Sequence, residues 1–302
     1  MTGMWIPRFA CPECRTCFAA GEDGWRMCSI CGRRYECRDD IWRFLTEARA
    51  AAHEPFARQY RIVRARDGYR VGAPDYYRRL PHVGPEDPHG VEWRIRRETY
   101  EHLLRCVLRP AAPLRVLDLG AGNGWLSHRL AEAGHDVTAV DTILDAADGL
   151  GAIRHYPVRF AAVEASFDAL PFAPGQFALV VFNGSLHYAP DVRATLTSVW
   201  RMLAPGGTLA VMDSPMFHDD RSGRAMVAGT VRRFEADYEI EDVVQAGAGY
   251  LTFGSLDGIA KSLGARARFI PSRGSIGWRV RRQIGRVRLR RAPAAFGLWM
   301  AR

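Results

Sequence analysis

Val116-Leu117-Asp118-Leu119-Gly120-Ala121-Gly122-Asn123-Gly124 is a short apolar run that ends in three closely spaced glycines. The run reads as a buried strand, and the glycines as a turn where a ligand can approach the backbone without meeting a Cβ. A helix follows and closes near Gly134. Strand, glycine turn and helix in that order also open the dinucleotide-binding folds. Their G-x-G-x-x-G pattern, started at Gly120, needs glycine where this chain has Trp125. Asp118 argues the same way: a carboxylate just ahead of the turn repels a pyrophosphate but suits a ligand carrying ammonium and sulfonium charge.

Downstream of Pro113, the apolar runs 114–119, 136–141, 177–182 and 208–213 alternate with helical stretches such as Val192 to Leu203. That alternation predicts a parallel α/β sheet. Asp141 ends the second run; Asp168-Ala169-Leu170-Pro171-Phe172 precedes the third, Asn183-Gly184-Ser185-Leu186-His187-Tyr188 follows it, and Pro205-Gly206-Gly207 introduces the fourth. With these motifs in this order, most of residues 91–302 resembles the class I S-adenosylmethionine-dependent methyltransferases.

The resemblance implies a Rossmann-like seven-stranded sheet whose final strand, near Phe296 to Ala301, enters as an antiparallel edge. It also implies S-adenosylmethionine as cofactor, with contacts from Asp118, Gly120, Ala121, Gly122, Asn123, Asp141, Ser166, Phe167 and Asn183. Asp141 would accept the ribose hydroxyls, and Phe167 would lie against the adenine. The chain departs from the family pattern at Ser166, where relatives commonly carry an acid, and at Ala178, where many have Asp. On the acceptor side, His187 is the candidate general base; Tyr188, Asp213 and His218 are further candidate substrate contacts, and Tyr76, Tyr77 and Trp93 a candidate aromatic lid.

Six of the seven cysteines lie between Cys11 and Cys37. Cys11-x2-Cys14 and Cys28-x2-Cys31, with turns at Gly21, Gly24 and Gly32, have the two-knuckle spacing of a zinc ribbon. Four thiolates fill a tetrahedral ion, so the zinc expected here is structural; Cys14-x2-Cys17 and Cys37 leave the ligand set open. The expected division is a separate ribbon over 1–40, a helical connector and cap over 41–110, and the methyltransferase domain over 111–302. Within the connector the Pro/Gly-rich residues 81–90 precede an amphipathic helix from Val91 to Leu108, with Ile95, Leu103, Leu104 and Val107 on its buried face and Pro110 beyond its end.

The net charge of +9 is unevenly spread. Residues 1–110 carry 20 Arg against 15 acids, residues 111–263 carry 11 bases against 18 acids, and residues 264–302 carry 11 Arg and no acid. An RNA methyltransferase needs cations where phosphates lie, yet the central segment is net acidic. A small, aromatic or hydroxylated metabolite is therefore the favoured acceptor, similar to those of quinone-biosynthesis methyltransferases. Structured RNA is the alternative, because a cysteine ribbon also precedes the ribosomal-RNA guanine-N1 methyltransferases; a non-catalytic scaffold is the second. The longest apolar run, Phe177 to Phe182, cannot cross a bilayer, so the sequence predicts a cytoplasmic protein with no membrane partner.

Overall fold

A computed structural model describes residues 4–19, 24–108 and 112–302; Gly21 and Pro110 lie outside them. The chain opens with short strands β1 (Trp25–Met27), β2 (Arg34–Arg38) and β3 (Ile41–Arg43), followed by helices α1 (Glu47–Arg66), α2 (Pro74–Arg79) and α3 (Gly90–Cys106). The alternating part runs β4 (Arg115–Leu119), α4 (Trp125–Glu132), β5 (Asp136–Asp141), β6 (Ala161–Glu164), β7 (Phe177–Asn183), α5 (Val192–Trp200) and β8 (Leu203–Met212). After it come β9 (Met216–Phe217), α6 (Asp220–Tyr238), β10 (Leu251–Thr252), α7 (Phe253–Ser262), β11 (Ala267–Pro271), α8 (Ile276–Leu289) and β12 (Gly297–Ala301). Side chains of Thr46, Asp191, Asp219, Thr252 and Ser275 each accept a backbone N–H in the first turn of α1, α5, α6, α7 and α8, which fixes where those helices begin.

The main sheet has the order β1-β2-β3-β6-β5-β4-β7-β8-β12-β11. Strands β6, β5, β4, β7 and β8 are parallel, and β12 inserts antiparallel between β8 and β11. The final strand is thus antiparallel as expected but interior, because β11 covers it through Ala267 to Pro271 and becomes the edge. Along the central strands successive residues enter opposite cores. Leu117, Leu119, Val180 and Phe182 pack on one face, and Val116, Leu179 and Val181 on the other. Burial on both faces is why these strands read as continuous apolar runs rather than alternating ones.

The expectation of a separate amino-terminal ribbon needs correction. β3 pairs in parallel with β6, Ile41 opposite Ala162 and Trp42 opposite Val163, so the ribbon lengthens the main sheet. Its aromatic cluster continues into the main core: the Phe9 ring lies 4.8 Å from Phe44, 5.0 Å from Trp42 and 5.9 Å from Phe172. The Cys-rich composition marked the segment as distinct, whereas its docking rests on three strand residues too few to show a period. Among the described residues, no helix is long and apolar enough to cross a membrane.

Candidate active site

The glycine turn sits where β4 hands over to α4, at the carboxyl end of the parallel strands, where open α/β sheets hold ligands. Gly120 has φ +72°, and a Cβ there would lie 2.3 Å from the Ser185 side chain, so the close approach requires glycine. Gly120, Ala121, Gly122 and Asn123 form one wall of a cavity completed by Asp141, Ser166, Phe167 and Asn183. Every cofactor candidate from the sequence lines this cavity except Asp118.

Asp118 lies beneath the turn, fully buried, and accepts the Ser127 hydroxyl at 2.7 Å. Its second oxygen has no partner among the described residues, and burial pushes its carboxyl up to about 7. Against the expectation, Asp118 does not line the cavity, because the last residues of β4 bury both of their faces. Asp141, at the end of β5, is engaged from both sides: the Gly122 N–H donates to one carboxylate oxygen at 2.8 Å and the Ile143 N–H to the other at 2.9 Å. Burial raises its pKa even so. Asp141 also lines the cavity, and a carboxylate there can accept hydrogen bonds from hydroxyl groups.

Relatives commonly carry an acid where this chain has Ser166; here a carboxylate stands two residues later, on the same cavity. The Ser166 hydroxyl donates to Asp168 at 2.6 Å, and Asp168, also on the cavity wall, pairs with Arg49. Burial works to raise the Asp168 carboxyl, yet the hydrogen bonds from Ser166 and Arg49 hold it below its ordinary range. Phe167 meets Phe182 edge to face at 5.5 Å, which fixes its ring between core and cavity.

The largest contribution absent from the sequence reading is α1. His53, Phe56, Tyr60 and Arg64 recur at helical spacing and bring one face of α1 over the cavity. Arg64 donates to buried Asp148 at 2.8 Å and lies 3.7 Å over the Tyr69 ring. Burial opposes its charge, but the ion pair with Asp148 keeps the guanidinium protonated. The signal was present as Arg and aromatics at intervals of three or four, but this pattern is also that of an ordinary amphipathic helix.

Tyr60, Arg64, Arg96 and Tyr188 also line a second cavity of about 380 Å³, so the two adjoin. Its walls come from α1, from Tyr69, from His187 and Tyr188 after β7, and from Met226, Thr230 and Phe234 of α6. The loop after α6 is fastened across it by a reciprocal pair, Gln59 Nε2 to the Val244 carbonyl at 2.9 Å and the Val244 N–H to Gln59 Oε1 at 2.7 Å. His187 borders this second cavity and not the first. Its Nδ1 is 3.2 Å from the Ser214 hydroxyl, and burial lowers its pKa to about 4, so the ring is neutral at physiological pH.

Other acceptor-side candidates divide. Tyr188 lines both cavities, whereas Asp213 is bound to Thr99 at 2.6 Å at the end of β8, and His218 stacks on Phe253. Neither of the latter two lines a cavity described above. The expected aromatic lid is mostly core: Tyr77 is fully buried, its hydroxyl donating to the Ala147 carbonyl at 2.8 Å, and Tyr76 accepts the Trp93 indole N–H at 3.1 Å. Trp93 alone of the three lines the first cavity.

At the other end of the chain, the sulfurs of Cys11, Cys14, Cys28 and Cys31 all lie within 4.8 Å of one another. The Cys11 and Cys31 sulfurs are 3.8 Å apart, close to the roughly 3.8 Å edge of a tetrahedron with metal–sulfur bonds of about 2.3 Å. Cys17 and Cys37 are not in the cluster.

Residues 116–207 match a family model described as a methyltransferase domain. The sheet order and the glycine-turn cavity agree with that match and with the resemblance to the class I S-adenosylmethionine-dependent methyltransferases. An uncharacterized methyltransferase of Mycobacterium tuberculosis is 34% identical over 164 residues, 54% of this chain and 57% of that protein. Malonyl-[acyl-carrier protein] O-methyltransferase of Pseudescherichia vulneris is 35% identical over 111 residues, 36% of this chain and 42% of that protein. The matches thus span little more than half the length of these relatives at most. Among solved structures, an S-adenosylmethionine-dependent methyltransferase from Mesorhizobium loti aligns with 67% of this chain and 96% of its own, at 21% identity and a TM-score of 0.48.

Proposed function

We propose that the chain transfers the methyl group of S-adenosylmethionine to a small aromatic or hydroxylated molecule held in the second cavity. The observation that carries this reading is that the two cavities adjoin at Tyr60, Arg64 and Tyr188, which line both. One compartment has a backbone cradle and carboxylates suited to a cationic nucleoside; the other is walled by Phe56, Tyr69, Tyr188 and Phe234 and has a volume suited to a small molecule.

In this reading Asp141 holds the ribose, Asp168 and Ser166 face the adenine edge beside Phe167, and Arg64 faces the amino-acid carboxylate. Asn183 and the turn from Gly120 to Asn123 complete the cradle, with Asp118 behind it offsetting positive charge. S-adenosylmethionine supplies an electrophilic methyl whose transfer leaves a neutral thioether. The protein's share is alignment of the acceptor and exclusion of water by α1 and the loop fastened at Gln59. Where the acceptor is a hydroxyl, its proton passes to neutral His187, whose low basicity suits a phenol better than an aliphatic alcohol.

Cys11, Cys14, Cys28 and Cys31 hold a structural zinc ion in the same reading, a closed site that gives the ribbon its shape. The ribbon lies along the sheet edge and the 168–172 loop, which favours a structural part over an RNA-gripping arm.

Calorimetry of Asp141→Ala should show S-adenosylmethionine binding weakened by about 1.5 to 3 kcal/mol, because charge-assisted hydrogen bonds to the ribose are lost. Unchanged affinity would remove Asp141 from the site. Cell extract incubated with methyl-labelled S-adenosylmethionine should yield a labelled small molecule. Label confined to RNA would reverse the choice of acceptor, and tight cofactor binding with no labelled product would leave a scaffold.

A further inference from the structure

Helix α8 carries its apolar residues on the wrong side for a soluble helix. Ile276, Val280, Ile284 and Val287 are 71%, 52%, 61% and 79% exposed, and no residue of the helix is buried. At about 100° per residue these four fall within roughly 80° of arc, a continuous aliphatic stripe. The side turned toward the body is instead marked by half-buried Trp278, Arg282 and Gly285, spaced four and three apart. That side is fixed in place. Arg282 donates to the Ala294 carbonyl and lies 4.1 Å over the Trp278 ring. The turn before the helix is held by Glu98 of α3, which accepts the Arg273 and Gly274 N–H groups at 2.9 Å. The outward stripe is therefore a consequence of how the helix is anchored.

The stripe is bordered on both sides by cations. The same helical spacing puts Arg279 and Arg286 along one edge and Arg281 and Arg288 along the other, in a segment, residues 264–302, with 11 Arg and no acid. Structured RNA complements the arginines but leaves the aliphatic stripe in water, since Ile and Val offer neither a stacking ring nor a hydrogen bond. A second copy of the chain complements the stripe but brings two arginine borders together, because a two-fold contact sets a surface against itself. An anionic bilayer satisfies both features: its headgroups meet the arginines, and its acyl region takes the side chains between them.

We infer that α8 is an interfacial helix that docks the protein on an anionic lipid surface, with Ile276, Val280, Ile284 and Val287 entering the acyl boundary and the flanking arginines engaging headgroup phosphates. This amends the sequence expectation of no membrane partner, which rested on the absence of a spanning segment. A helix lying in the interface needs only a stripe, not an apolar circumference.

Sedimentation with vesicles tests it. The full chain should bind phosphatidylcholine vesicles containing roughly a third phosphatidylglycerol and leave pure phosphatidylcholine vesicles largely unbound. Combined Ile276→Ser, Val280→Ser, Ile284→Ser and Val287→Ser should cut binding to anionic vesicles at least about tenfold, since the acyl contribution is removed while the charge remains. Because all four positions are exposed, the melting temperature and cofactor affinity of this variant should match the parent. Combined Arg279→Gln, Arg281→Gln, Arg286→Gln and Arg288→Gln should abolish the preference for anionic lipid. Equal vesicle binding by the serine variant and the parent overturns the proposal. So does structured-RNA binding that depends on these arginines without vesicle binding, or a dimer that the serine variant dissolves.

Discussion

Asp118 is a buried carboxylate with one hydroxyl partner and one oxygen unpartnered among the described residues, directly under the turn in which Gly120 leaves no room for a Cβ. Its folded-state pKa of about 7 stands above the ordinary carboxylate value of about 3.9. Between those values the native protein keeps a proton that the unfolded chain has released, so stability falls as pH rises through that window and levels off above about 7. Asp118→Asn mimics the protonated form and can still accept from Ser127. The variant should therefore equal the parent near pH 4 and exceed it increasingly up to neutrality, by a margin on the order of 4 kcal/mol at most. Urea unfolding at intervals between pH 4 and 8 measures that difference directly. A gap between the two proteins that does not change with pH would mean that Asp118 is ionised throughout. His187 acts in the opposite sense, since its lowered pKa favours the unfolded chain in acid. It is common to both proteins and cancels in the comparison.

Helix α1 shows what a one-dimensional pattern can and cannot reveal. Its Arg64 side chain is 15% exposed and that of its partner Asp148 is 1% exposed, so the pair is largely shielded from water. Arg64→Ala should cost about 3 to 5 kcal/mol of stability, because Asp148 would be left charged and buried, its second oxygen already lacking a partner. Adding Asp148→Asn should restore part of that loss. A loss below about 1 kcal/mol in the single variant, followed by denaturant unfolding, would show that the pair is solvated. None of this was legible from residues 47–66, where Arg and aromatic side chains at helical spacing fit a solvated face as well as a cavity wall. The glycine turn was legible because a tight turn leaves few conformations open, whereas Asp141, Phe167 and Asn183 came from the family resemblance, and the fold lines one cavity with all of them. The sheet class was legible for a similar reason, since doubly buried strands must be apolar throughout. What the sequence hid is where elements meet across long separations: β11 covering β12, β3 joining β6, and Gln59 reaching Val244. Asp168 was hidden differently. The family position for an acid falls on Ser166, and only the fold shows the neighbouring carboxylate on the same cavity wall.

At the scale of the whole molecule, the ribbon and the first cavity share one loop. The Ala10 N–H donates to the Pro171 carbonyl at 2.9 Å, the Arg15 guanidinium to the Leu170 carbonyl at 3.2 Å, and Arg49 pairs with Asp168. Ala10 and Arg15 flank Cys11 and Cys14, so a metal that fixes those two thiolates also fixes the residues holding the 168–172 loop. The aromatic cluster of Phe9, Tyr35, Trp42 and Phe44 passes the same constraint into the sheet, because β3 is hydrogen-bonded to β6. Metal binding at such a site is part of the folding free energy of everything packed on it. Stripping the metal with a strong chelator, or making Cys28→Ser with Cys31→Ser, should lower the melting temperature of the entire chain by on the order of 5 to 10 °C in a single transition. S-adenosylmethionine affinity should fall with it, by about tenfold, as the loop bearing Ser166, Phe167 and Asp168 loses its outer support. Scanning calorimetry with and without chelator, paired with a cofactor titration, distinguishes this from an independent module. An early transition for the ribbon, followed by an unshifted main transition and full cofactor affinity, would mean that the sheet ends at β6 and the ribbon merely rests against it.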